Sequence, residues 1–249
     1  MRQEPPNIDY ILIGNGRLAK HLLRYFKLLG LKVAQWSRAS TETEAYITLN
    51  KLDDLRELPQ IPILVAVSDD SIRDVVILIR KFSDNLIVHF SGALCSTEIN
   101  LNCYSMHPLF TFNYDMLTLD QYTKIPFICE PSGPAFAEVF PKLSNPTSKI
   151  SNDHRRLYHS VACLASNLPA MIWKECAQIA QGDLTIDWAI YEPLVIQTLK
   201  NSFQNPQSSV TGPIIRKDWN LVSSQLEVLP DGLAAKLYSA AATENKEKS

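Results

Sequence analysis

Residues 10–19 read Tyr10-Ile11-Leu12-Ile13-Gly14-Asn15-Gly16-Arg17-Leu18-Ala19. Four apolar residues lead into two glycines one residue apart. The segment that follows places Leu18, Leu22, Tyr25, Phe26 and Leu29 on one stripe at helical spacing, with Gly30 where a helix C-terminus favours glycine. The pattern predicts a strand, a tight turn and a helix. Gly14 suits a sharp turn out of the strand, Gly16 lets a backbone approach a phosphate without an intervening Cβ, and Ala19 keeps the helix close to the sheet. Such a turn presents backbone N–H donors and the positive end of a helix to a pyrophosphate.

Outward from this turn, apolar runs and amphipathic stretches alternate as in a parallel α/β sheet. Lys32 to Trp36 reads as a second strand, which completes the βαβ setting that a dinucleotide-binding Rossmann unit requires. Ile61 to Val67 is apolar on both faces, as a buried parallel strand is. Ser68 and Asp69 offer caps for a helix reaching Phe82. Leu86–Phe90, Cys103–Met106 and Ile125–Cys129 complete a sheet of six strands, and residues 39–60 read as loop with one short helix. After Ile150 only helical patterns remain. One runs from Asn152 or Asp153 past Tyr158 and Leu168, with a kink expected at Pro169. Others cover 187–203, start at Thr211-Gly212-Pro213, and cover 231–242, with a frayed tail from Glu244. The expected organisation is a Rossmann doubly wound domain over residues 1–148 and an all-α domain over 149–249.

An acidic residue at the end of the second strand would bond both ribose hydroxyls of NAD and repel a 2′-phosphate. Ser37-Arg38 stands there instead. A hydroxyl and a guanidinium suit that phosphate, so the expected cofactor is NADP; the alternative is a surface loop arginine. Arg17, in the first helical turn, is placed to add a phosphate contact.

The 249 residues carry a net charge of −2, which gives no electrostatic reason to expect nucleic acid or an anionic membrane as partner. Met1 to Pro6 lacks a signal peptide's apolar core. Cys95, Cys103, Cys129, Cys163 and Cys176 show no C-x-x-C spacing, which argues against a zinc site and fits reduced thiols in the cytoplasm.

Open α/β sheets bind ligands at the C-terminal ends of their strands. Three clusters fall there: Ala66-Val67-Ser68-Asp69-Asp70, His89-Phe90-Ser91-Gly92-Ala93-Leu94, and Ser105-Met106-His107-Pro108-Leu109. Val67 and Ser68 are expected near the cofactor and Ser91 near the nicotinamide. His107 is the candidate acid or base, because imidazole titrates in the range that carbonyl or imine reduction needs; the alternative is a histidine that only bonds loop backbone. His89, inside an apolar run, reads as a core histidine, whereas His21 and His154 read as surface residues. Seven residues separate His159 from Ser166, nearly two helical turns, so these two, Cys163 and the flanking Asn167 form a polar line. That line faces either a cleft, where His159 and Asn167 would orient a substrate, or solvent.

Gly14-x-Gly16-Arg17-Leu18-Ala19, His89-Phe90-Ser91-Gly92-Ala93-Leu94, His107-Pro108-Leu109-x-Thr111-Phe112, Tyr158-His159…Ala165-Ser166-Asn167 and Thr211-Gly212-Pro213-x-x-Arg216-x-Asp218 occur in order. Together they resemble a family of Rossmann-like proteins ascribed NADP oxidoreductase activity, with a helical C-terminal domain of unknown function. That family is similar in architecture to pyrroline-5-carboxylate reductase and the β-hydroxyacid dehydrogenases. The resemblance implies an NADP domain, a 6-phosphogluconate-dehydrogenase-like helical domain and a homodimer, but no substrate. A His-Pro at a comparable strand end also resembles prephenate dehydrogenases, where the histidine meets the reacting hydroxyl. Three departures stand out: Lys217 replaces a glycine in the family's Arg-Gly-Asp, Gln225 stands where a histidine is usual, and Cys163 stands where β-hydroxyacid dehydrogenases carry their lysine.

The expectation is therefore an NADP-dependent oxidoreductase acting on a small carbonyl, imine or alcohol. The alternative, kept open by the missing lysine, is a non-catalytic protein that binds NADP and reports redox state to a partner.

Overall fold

The computed structural model describes residues 7–38, 43–99 and 102–247. The chain divides into two compact units, Met1–Ala162 and Cys163–Ser249. The first is built on strands β1 (Tyr10–Ile13), β2 (Val33–Trp36), β3 (Ile47–Thr48), β4 (Ile63–Val65), β5 (Ile87–His89), β6 (Cys103–Pro108), β7 (Phe127–Cys129) and β8 (Thr147–Lys149). They form one sheet in the order β3-β2-β1-β4-β5-β6-β7-β8, parallel except where β7 runs against β6. This is the doubly wound order, with its crossover reversal between β1 and β4.

The four residues of β1 show how the sequence makes two faces. Alternate side chains point to opposite sides of a strand. Tyr10 and Leu12 enter one apolar cluster with Leu22, Phe26, Leu64 and Val88, against helix α1 (Arg17–Leu28). Ile11 and Ile13 enter the other, with Ile63, Val65, Ile72 and Val76, against helix α2 (Asp69–Ile79). Both faces are covered, which is why β1 and β4 read as unbroken apolar runs. α1 closes with Gly30 at φ +68°, where the Gly30 N–H donates to Lys27 O and the Leu31 N–H to Phe26 O, a Schellman ending.

Several expectations are corrected. The sheet has eight strands where six were expected, because β3 and β8 are two- and three-residue edge strands with little apolar signal. Residues 43–60 hold β3 and a 3₁₀ turn over Leu52–Glu57; 39–42 lie outside the described residues. α2 ends at Ile79, not Phe82. Short helices α3 (Ser96–Ile99), α4 (Leu119–Thr123) and α5 (Phe136–Val139) lie between the later strands.

Helix α6 (Arg155–Gln181) runs on through Pro169. Beyond it lie α7 (Glu192–Gln204), α8 (Trp219–Val228) and α9 (Leu233–Glu247). Thr211-Gly212-Pro213 starts no helix but forms a turn, with Gly212 at φ +102°, and α8 begins only at Trp219. Of the tail expected to fray, residues 248–249 lie outside the described residues and 244–247 are helical, since α9 reaches Glu247. Its start is held by Glu175 of α6, which accepts the Leu233 and Ala234 N–H groups at 2.9 and 2.7 Å.

Candidate active site

The turn after β1 lies at the β1/β4 switch point. Gly14 has φ +123°, and a Cβ built on it would fall 2.2 Å from the Ala66 carbonyl oxygen, so no other residue fits. Its N–H donates to Trp36 O (2.8 Å) and its carbonyl accepts from the Gln35 side chain (2.7 Å), which ties the turn to β2. Gly16 is exposed at the start of α1, and a Cβ on it would meet nothing within 4 Å. That open space at the start of the helix, with no acidic residue in the first turn, fits a phosphate. Ala19 is fully buried against the sheet, while Arg17 reaches over the Tyr114 ring at 6.0 Å. Asn15, Leu18, Ser37 and Val67 are half-buried, and Arg38 and Ser68 exposed, around the same edge. These are the residues that could hold a dinucleotide.

β4, β5 and β6 run parallel to β1, so their C-terminal ends share this edge. Ser105 and His107 are two apart on β6 and face the same way. Arg155, Tyr158 and His159 are spaced i, i+3, i+4, which sets them on one stripe of α6. That stripe meets this face of β6. The Tyr158 hydroxyl lies 2.6 Å from His107 Nδ1, and the His159 ring stands edge-on to His107 with centroids 5.8 Å apart. Gly92 is the floor between the rings: a Cβ there would fall 2.4 Å from His159 Cδ2 and 3.1 Å from His107 Nε2. Burial, then His159 and Arg155, lowers His107 to about 4, so it is neutral at pH 7. Burial pushes Tyr158 up to about 12, with the Arg155 cation opposing.

Beneath this pair lies a fully buried guanidinium. Arg155 donates through Nη2 to Ser91 O at 3.1 Å and to the Ser105 hydroxyl, which itself donates to Ser91 O at 2.7 Å. Its Nε and Nη1 have no hydrogen-bond partner among the described residues. The balancing charge is Glu130, 1% exposed, which accepts from the Ser105 N–H (2.8 Å) and from the Ser96 N–H and hydroxyl. Burial lowers the Arg155 pKa and Glu130 opposes this.

The remaining expected residues separate clearly. Ser91 is 4% exposed; its hydroxyl donates to Asp69 at 2.8 Å and accepts from the Ala93 and Leu94 N–H groups, so it braces the loop after β5 against the start of α2. His89 is a core residue at 0% exposure, lowered to about 3 by burial, with Nδ1 accepting the Ser91 N–H and Nε2 buried without a partner among the described residues. His154 is exposed as expected, but His21 is not a surface residue. It is 2% exposed, bonded to the Tyr122 hydroxyl at 2.8 Å and Asn113 O at 3.1 Å, and anchors the loop after His107 onto α1. Asn167 belongs to the second unit, is exposed, and accepts from the Ser166 hydroxyl. There the side chain at Gln225 accepts from Tyr238, and Arg216 pairs with Asp218 at 3.0 Å.

Sequence reasoning missed Tyr158, Arg155, Glu130 and Gln35 as parts of the site. The spacing of 155, 158 and 159 was a usable signal; Glu130 and Gln35 carried none. Among the described residues, no group of three His, Cys, Asp or Glu side chains could hold a metal ion, and no helix is long and apolar enough to cross a membrane.

Residues 130–245 match the model of a family described as a domain of unknown function, DUF2520. No curated protein matches the chain. Among solved structures, a Bacteroides fragilis protein ascribed as an NADP oxidoreductase aligns at 21% identity over 96% of this chain and 98% of its own, with a TM-score of 0.76. An imine reductase from Myxococcus stipitatus in complex with NADP⁺ aligns at 16% identity over 96% and 94%, TM-score 0.64. The pyrroline carboxylate reductase of Plasmodium falciparum with NADP bound aligns at 15% identity over 98% and 97%, TM-score 0.58. At these identities the likeness is one of fold: Rossmann-like, with a helical C-terminal part.

Proposed function

We propose that this chain is an NADP-dependent oxidoreductase that moves hydride between the nicotinamide and a small carbonyl, imine or alcohol. One observation carries the reading: a single sheet edge presents both a phosphate-ready turn and a neutral, tyrosine-held imidazole. From β1, which carries the turn, to β6 is three strand spacings, about 14 Å. Gly14 to Ala19, with Val67 and Ser68, would hold the pyrophosphate half, and Ser37 and Arg38 would meet the 2′-phosphate. The solved structures of similar fold that bear NADP support the choice of cofactor.

When bound, the cofactor supplies or accepts the hydride. The protein's own part is the proton. Tyr158 donates its O–H to His107 Nδ1, which leaves the imidazole proton on Nε2, directed at the reacting oxygen or nitrogen. As that proton leaves Nε2, the Tyr158 proton moves to Nδ1, and the phenolate so formed is held by the Arg155 cation until water reprotonates it. His159 orients the substrate from the other side of Gly92.

The helical unit exposes large apolar side chains, among them Phe203 at 83%, Val228 at 79% and Ile190 at 69%. That supports a homodimer. The free cysteines suit a reducing compartment such as the cytoplasm.

The test is a panel of ketones, imines and hydroxyacids scanned for NADPH consumption or NADP reduction, with NADPH binding followed by fluorescence. Turnover of one class, lost in His107→Asn, is the expected result. Micromolar binding with no turnover on any class would favour the redox sensor instead.

A further inference from the structure

Beside the dinucleotide turn lies a cleft of about 350 Å³ whose lining includes Asn15, Lys20, Arg24, Thr43, Glu44 and Met116. Its mouth is fixed to the turn by a short chain of bonds: the Thr43 hydroxyl bonds Gln35 Oε1, and Gln35 Nε2 donates to Gly14 O at 2.7 Å. Lys20 and Arg24 are one helical turn apart on α1, and neither forms an ion pair with a described residue. Arg24 is half-buried, with its Nε buried and lacking a hydrogen-bond partner among the described residues. The cleft's carboxylate, Glu44, is already engaged by Lys27 at 3.1 Å. The local charge is therefore positive, in a protein whose net charge is −2.

We propose that this cleft seats the 2′-phosphate of the adenosine ribose, with Lys20 and Arg24 as its charged donors. The inference rests on the NADP reading and specifies how that cofactor is told from NAD. Helical side chains lean toward the helix N-terminus. Four residues of α-helix rise about 6 Å, close to the length of an extended lysine side chain, so the Lys20 ammonium reaches the level of Gly16. Arg24, one turn deeper, closes the floor with a group that burial has left without a hydrogen-bond acceptor. A phosphate dianion supplies what both cations lack. Ser37 and Arg38 approach the same group from the end of β2. A ribose with a free 2′-hydroxyl would leave Lys20 and Arg24 as they are, so the site rewards the phosphate alone.

The test is calorimetric titration of the full chain with 2′,5′-ADP and with 5′-ADP, beside NADPH and NADH. The wild type is expected to prefer the 2′-phosphorylated ligands. Lys20→Gln/Arg24→Gln should weaken them at least tenfold and leave 5′-ADP and NADH unchanged, while Lys20→Arg/Arg24→Lys keeps the preference. An unaltered melting temperature shows that the variant is folded. The proposal is overturned if the preference survives in the double glutamine variant, or if that variant loses both ligand types equally. Preference lost in Arg38→Ala but kept in Lys20→Gln/Arg24→Gln would leave the NADP reading standing and return the phosphate to the strand end. A wild type that binds none of the four ligands would instead remove the NADP reading itself.

Discussion

The hydroxyl of Tyr158 lies 2.6 Å from Nδ1 of His107, joining the second turn of α6 to the end of β6. The bond lets a half-buried imidazole hold one tautomer. In Tyr158→Phe the ring keeps its place but loses the group that fixes its proton. Nitrogen-detected NMR of His107 should change from a single Nε2–H form to a mixture. Turnover of a substrate found by screening should fall about 10- to 100-fold, with KM little changed. An unchanged tautomer would show that the phenol does not direct the proton.

His107 and His89 make the protein sensitive to acid. Both have folded values below the ordinary histidine range, about 4 and about 3, so between those values and about 6.5 the unfolded chain binds more protons. Stability is therefore constant above that window and declines as pH falls through it. For His107 the loss reaches at most about 3 kcal/mol by pH 4, at 1.36 kcal/mol per unit. Urea unfolding at pH 7.5 and 4.5 should show a smaller drop for His107→Asn than for the wild type; equal drops would contradict the assignment.

Arg155 and Glu130 are both buried, so removing either strands the other. Arg155→Met should cost about 3–5 kcal/mol in urea unfolding, and Arg155→Met/Glu130→Gln should recover part of it. In a folded variant such as Arg155→Lys/Glu130→Gln, the His107 titration should move up as the cation sits farther from the ring. If the two single changes simply add in the double variant, the residues are not coupled through Ser105.

Gly14 and Gly16 separate strain from recognition. Gly14→Ala places a Cβ against the Ala66 carbonyl at φ +123° and should lower the melting temperature by several degrees. Gly16→Ala meets only open space and should melt within about 2 °C of wild type, as a strain-free surface change does. Its methyl group nevertheless occupies the space a pyrophosphate needs, so dinucleotide affinity should fall about tenfold or more. Intact affinity in Gly16→Ala would place the phosphates elsewhere.

The first half of the fold was legible because each signal was local. Tyr10 to Ile13 alternates between two clusters, and Gly14 and Ala19 each have a steric reason to be where they are. β3 and β8 were not legible, since their few residues are fixed by hydrogen bonds to neighbouring strands and not by side-chain pattern. The same limit applied to His21. Its polar side chain reads as surface until Tyr122 and Asn113, about 100 and 92 residues away, supply partners that let it be buried. At the site, the motif residues His107, Ser91 and His159 could be named, but Glu130 and Gln35 act through contacts that no spacing announces.

Arg155, Tyr158 and His159 lie beyond residue 148, where the strand pattern stops, yet they belong to the unit that ends at Ala162. A fragment cut after residue 148 would retain the whole dinucleotide turn and lose every helical partner of His107. A graft of a foreign helical half onto this sheet should therefore be joined after Ala162, inside α6, so that Tyr158 and His159 stay with the strand whose His107 they touch.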